Sequence, residues 1–132
     1  MAGVDRRELA AIFAGGAGGA LARVGTTQLF PSGPTSWPWA IFTINLAGAF
    51  ILGYVVVRLQ ERLPLSTYRR PFIGTGFCGA FTTFSTMQLE LLEMIRHHHY
   101  SLAAGYAGAS VIGGYLAILI AVSLVRRARV IT

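Results

Sequence analysis

Pro71-Phe72-Ile73-Gly74-Thr75-Gly76-Phe77-Cys78-Gly79-Ala80-Phe81-Thr82-Thr83-Phe84-Ser85-Thr86-Met87-Gln88-Leu89 runs for 19 residues without a charge. Roughly 20 apolar residues, rising 1.5 Å each as a helix, span the ~30 Å of bilayer hydrocarbon. The length therefore predicts a membrane span. Its composition predicts an unusual one. Gly74, Gly76 and Gly79 precede Thr82, Thr83, Ser85 and Thr86, four hydroxyls in five positions, and this makes a poor continuous helix. Hydroxyls bonding back to their own helix account for one or two of the four, not for the cluster. The pattern predicts a helix broken near the midplane at Thr82–Thr83, with unwound carbonyls free to hold a cation and half-helix ends polarising the site. Irregular backbone at that depth survives only when buried in protein or lining a cavity.

Outward from this stretch, the rest of the chain repeats the theme. Trp37 to Val57 is 21 residues without a charge, Tyr100 to Val125 is 26, and Leu9 to Leu29 is interrupted only by Arg23. The expectation is one all-α membrane domain over 1–132, with spans at about 9–29, 37–57, 71–95 and 100–125. Leu9 to Leu29 lacks the compact leucine-rich core and the cleavage site of a signal peptide. The chain is 54% hydrophobic and only 12% charged, too little to clothe a soluble domain of 132 residues. A net charge of +6 would suggest nucleic acid if the arginines lined one face, but they lie between the apolar runs.

Four spans put both termini and the middle loop on one side. That side carries Arg6, Arg7, Arg58, Arg62, Arg69, Arg70, Arg126, Arg127 and Arg129, and the other carries Arg96. The positive-inside rule then predicts cytoplasmic termini, with Trp37 and Trp39 at the outer interface.

Several polar residues lie within the spans. Gly15 and Gly19 have the GxxxG spacing of close helix packing, which is the reading preferred here. Arg23 either snorkels to the outer interface or lines a vestibule. Asn45, near the middle of its span, must find protein or water partners, either in an interhelical bond or in a pore. Glu90 stands between the interior and the interface, and Glu93 is expected in solvent. Tyr106, Ser110, Gly113 or Gly114, and Ala117 share one face of the last span. His97, His98 and His99 are adjacent loop residues rather than a metal set. Cys78, the single cysteine, reads as a small packing residue.

Three stretches together resemble the Fluc (CrcB-type) fluoride channel family. They are Gly15-Gly16-Ala17-Gly18-Gly19-Ala20-Leu21-Ala22-Arg23, Asn45-Leu46-Ala47-Gly48, and Gly79-Ala80-Phe81-Thr82-Thr83-Phe84-Ser85-Thr86. The similarity covers nearly the whole chain. It implies an antiparallel dimer of four-helix subunits with two fluoride pores and a central structural sodium ion. Matched onto this chain, the sodium falls on the main-chain carbonyls of Gly79 and Thr82. The fluoride path falls on Asn45, Phe84, Ser85, Thr86, Met87, Tyr106 and Ser110, and the vestibule arginine on Arg23. Fluoride is small and strongly hydrated, so a pore must offer good donors. The positive edge of an aromatic ring faces an anion without gripping it, and a nearby cation offsets its burial.

The chain departs from that pattern in places. Met87 stands where the family has a second pore phenylalanine, and methionine has no positive ring edge. Gly114 and Ile118 stand where hydroxyls are usual, and Val24 where an aromatic is usual. Nine arginines against one also favour a single orientation, and so pairing with a homologous subunit inserted the other way. A non-conducting partner subunit of such a pair is the alternative that Met87 supports. A small four-helix multidrug transporter needs a carboxylate at the midplane, and spans one and two have no Asp or Glu. An enzyme is not expected, because no nucleophile–base pair lies at depth.

Overall fold

The computed structural model describes residues 3–61 and 68–128, and those residues are helical, without strands. Helix α1 covers Arg6–Leu29 and α2 covers Trp39–Glu61. Next, α3 comprises a π-helical stretch, Pro71–Cys78, that continues as one α-turn, Gly79–Phe81. Helix α4 covers Phe84–Arg96 and α5 covers Tyr100–Arg127. Among the described residues, three helices are long and apolar enough to cross a membrane: α1, α2 as Trp39–Leu59, and α5.

Local chemistry accounts for the ends. Asp5 caps α1 by accepting from the Arg7 N–H at 2.9 Å, which satisfies one of the donors a helix start leaves open. Pro38 lies just outside α2, so that helix begins at Trp39, two residues later than the charge-free run, and extends through Glu61. Likewise α1 and α5 overrun the expected spans, to Arg6 and Arg127. The stretch expected at about 71–95 is built from pieces. Gly74 and Gly76 lie in the wide π-turns, while Thr82 (φ −75°, ψ 152°) and Thr83 (φ −148°, ψ 114°) are extended. Ser85 and Thr86 are not unwound but lie in the first turn of α4. Among the described residues, only His98, in the α4–α5 turn, has a positive φ off glycine (61°).

Pairs of contacts give the helix directions. Gly15 lies against Phe72 and Gly19 against Phe77, so α1 and α3 run parallel. Trp37 lies by Gly105 and Gly53 by Ile118, so α2 and α5 run parallel as well. Gly48 meets Thr82 while Leu52 approaches Gly74, so α2 opposes α3. One end of the bundle therefore collects Arg6, Arg7, Arg58, Arg69, Arg70, Arg126 and Arg127, and the other has Arg96. Arg62 and Arg129 lie outside the described residues. At the arginine-rich end, the Tyr68 hydroxyl donates to Asp5 at 3.2 Å and ties the start of α1 to the approach to α3.

Packing divides into two kinds. On one side, glycines of α1 and α3 interlock: a Cβ on Gly15 or Gly19 would run into the carbonyl of Phe72 or Phe77. The small-residue reading of that motif fits this contact. On the other, Ile41, Ile44, Met87, Met94, Ala103 and Tyr106 form an apolar core between α2, α4 and α5. Outside, Phe13, Phe84 and Val111 are more than 70% exposed. A surface this apolar faces lipid or another protein.

Candidate functional site

The two extended residues break the helical ladder, and Asn45 repairs it from the neighbouring helix. Its side-chain oxygen accepts from the Thr83 N–H at 2.9 Å, and its Nδ2 donates to the Thr83 carbonyl at 3.2 Å. A buried unpaired peptide group costs about 1–3 kcal/mol, so this two-point clamp is what makes the interruption tolerable. Both bonds are interhelical, and one Nδ2–H is left over.

The hydroxyls divide the remaining work. Thr83 is 6% exposed, and its Oγ1 accepts from the Thr86 N–H at 3.2 Å as the N-cap of α4. That same hydroxyl donates to Thr86 Oγ1 at 3.0 Å and meets Ser85 Oγ at 3.3 Å. Thr82 Oγ1 bonds back to the Cys78 carbonyl at 2.8 Å, which already accepts the Thr82 N–H at 3.0 Å. One hydroxyl of the four is thus spent on its own helix, and three form a knot at the start of α4.

Clamping Thr83 has a consequence upstream. Its N–H is the α-helical donor to the Gly79 carbonyl, and it is turned to Asn45 instead. A helix that stops at Phe81 leaves its last carbonyls without intrahelical donors. Around Gly79 there is open space, and Phe84 stands 73% exposed beside it. Between them opens a cleft of about 390 Å³, lined by Asn45, Gly48, Thr82, Thr83, Phe84 and Ile118 among others. Free carbonyls at a helix C-terminus suit a hard cation, which takes oxygen ligands and the negative end of a dipole.

Of the other sequence-identified positions, Met87, Tyr106, Ser110 and Arg23 are not among the residues that line this cleft. Met87 is 8% exposed and sits in the apolar core. Tyr106 is fully buried, and its hydroxyl donates to Glu90 Oε2 at 2.7 Å. Ser110 Oγ is buried without a hydrogen-bond partner among the described residues. Arg23 is half-buried on α1, one turn past Gly19; among the described residues the Arg–carboxylate ion pair is Glu93 with Arg96 (3.6 Å), and His97 Nδ1 lies 3.8 Å from Glu93 Oε2. Cys78 is buried and lines the cleft.

Two features go beyond the reading of the sequence, which leaves Glu90 between interior and interface and sets Trp37 at the interface. Glu90 turns inward to Tyr106 across 16 residues; its place one turn after Thr86, on the hydroxyl-bearing face of α4, was the available signal. Trp37 is not simply an interfacial ring. It packs edge-on against Phe42 and Tyr106, at centroid distances of 5.3 and 5.6 Å.

Comparison with known proteins supplies the context. A family model described as CrcB-like protein, Camphor Resistance (CrcB), matches residues 10–122. The chain is 59% identical over 130 residues to the fluoride-specific ion channel FluC 1 of Mycolicibacterium paratuberculosis, covering 98% of each chain. It is 57% identical over 126 residues to FluC 1 of Mycobacterium tuberculosis, covering 96% of each. A more distant relative, the fluoride-specific ion channel FluC of Saccharophagus degradans, is 35% identical over 117 residues, 89% of this chain and 88% of its own.

Proposed function

The chain belongs to the CrcB family of fluoride-specific ion channels, and from that premise we propose that it is a subunit exporting cytoplasmic fluoride as half of an antiparallel dimer. The observation that carries the reading is the Asn45–Thr83 clamp. It stabilises an interrupted helix while leaving Gly79, Thr82 and Phe84 on an open cleft, a face that a second subunit would close. Taken together, α3 and α4 then form a fourth membrane crossing with its break near the midplane. Its pieces fit that role, since neither the eleven residues of Pro71–Phe81 nor the thirteen of Phe84–Arg96 reach across alone.

The carbonyls of Gly79 and Thr82 would hold a structural sodium ion, joined by the same groups of the second subunit. That cation would supply positive charge to offset the burial of fluoride nearby. This chain's own residues do the rest. The free Nδ2–H of Asn45 and the hydroxyls of Ser85, Thr86 and Ser110 replace the water that fluoride sheds, while Tyr106, its proton given to Glu90, lines the path without donating. The ring edge of Phe84 faces the ion, and Arg23 draws anions toward the mouth. Met87, buried in the core, contributes bulk rather than a ring edge.

The arginine-rich end is cytoplasmic in this reading, so both termini face the cell interior. Such a bias favours a single orientation and a homologous partner inserted the other way. Fluoride-electrode efflux from liposomes tests both parts. Fluoride is expected to leave much faster than chloride, with a requirement for sodium, and faster with such a partner than with this chain alone. Equal chloride and fluoride rates would overturn the selectivity. Full flux from this chain alone would overturn the pairing with a different subunit.

A further inference from the structure

Among the described residues, two buried side-chain polar atoms have no hydrogen-bond partner: Trp37 Nε1 and Ser110 Oγ. Both adjoin Tyr106. Ser110 follows it by one turn of α5, and the Trp37 ring stands against it at 5.6 Å with an interplanar angle of 76°. Buried donors are nearly always satisfied, and one that is not points to a water or an ion that belongs there. The two flank a residue whose own donor is committed, since the Tyr106 hydroxyl gives its proton to Glu90 at 2.7 Å. Free donors therefore lie on either side of a spent one, in a protein whose family moves an anion.

Position adds to this. Trp37 lies just before α2, at the end of the bundle away from the arginines, and Gly105 stands close to its ring edge (3.8 Å from an added Cβ to Cζ3). Asn45 is two turns further along α2. In the register of α2 against α5, set by Trp37 with Gly105, Leu46 with Gly113 and Gly53 with Ile118, Asn45 lies about level with Ser110, and Trp37 with Tyr106 nearer that end. An indole N–H can only donate, so it suits an anion and offers nothing to a cation. The rival partner for that N–H is an aromatic face, Phe42 or Tyr106, which accepts weakly.

Resting on the channel reading above, we propose that the Trp37 indole N–H is an anion subsite at the outer end of the path, donating a hydrogen bond to fluoride as the ion passes between the outer loop and Ser110. With two tryptophans in the chain, Trp39→Phe leaves Trp37 as the sole emitter. Titrating that variant with sodium fluoride against sodium chloride, at constant ionic strength, should give a saturable emission change with fluoride alone. No fluoride-specific change overturns the proposal, whether a water or a ring face then satisfies the N–H. Trp37→Phe keeps an aromatic side chain but removes the N–H donor and one ring of the indole. It should slow fluoride efflux about fivefold, the worth of one hydrogen bond, and unaltered efflux likewise overturns the subsite. Should Trp37→Phe fail to assemble, as seen by size-exclusion chromatography, the emission titration alone decides. Wild-type protein that carries no fluoride would overturn the channel reading instead, and the titration would still report whether an anion binds at Trp37.

Discussion

The interrupted helix is held from two sides by opposite means. Against α1, Gly15, Gly19 and Gly76 bring backbone to backbone with no side chain between. Against α2, Asn45 bridges to Thr83 with two hydrogen bonds and leaves a cleft beside them. Lipid offers no hydrophobic drive for helices to meet, so the first seam relies on close van der Waals contact. The second relies on satisfying backbone that the break has stripped of partners. One seam is filled by backbone contact; the other is bridged by hydrogen bonds and left open. Close packing and an open cleft are thus separated onto two faces of one element.

Substitutions can break that contrast, beginning with the filled seam. Gly19→Leu forces a side chain into the Phe77 carbonyl and should cost about 3 kcal/mol or more, the upper range of overpacking. Thermal unfolding in detergent would read this as a clear loss of midpoint. Asn45→Leu removes the clamp and leaves the Thr83 N–H and carbonyl unpaired, for about 2 kcal/mol. Fluoride efflux should be abolished in that variant even where it still purifies as folded protein. Thr83→Val deletes the N-cap of α4 at about 1 kcal/mol, visible as faster hydrogen exchange at Ser85 and Thr86. Smallest for the fold is Gly79→Ala. Nothing lies within 4 Å of the added methyl, so the subunit should change by less than about 0.5 kcal/mol. If the open face receives a second subunit and sodium, that same methyl should nevertheless weaken dimerisation and the sodium requirement. Stability and flux unchanged together would mean that Gly79 faces only lipid.

The two seams also differ in how far the sequence revealed them. Gly15 and Gly19 announce close packing by spacing alone, because only small residues permit it. The clustered hydroxyls announced an interruption, yet not how they share it: Thr82 bonds backward, Thr83 caps forward, and Ser85 and Thr86 stay helical. That division depends on where Asn45, 38 residues away, delivers its amide. Membrane-length helices were legible from charge-free runs, whereas the π-helical winding of Pro71–Cys78 was not, since it answers to the glycine face of α1. Long-range pairs such as Tyr106 with Glu90 leave no local periodic trace. Met87 has the size and apolarity of a core residue, and its placement by family pattern pointed instead to the path.

Sodium-dependent fluoride efflux bears most directly on the open seam. Liposomes carrying this chain, with and without an oppositely oriented homologue, are loaded with fluoride or chloride and followed by ion-selective electrode. Fluoride release that needs sodium, disappears in Asn45→Leu and far outpaces chloride is the predicted result. Release of both anions at one rate, indifferent to sodium and to Asn45, would contradict it.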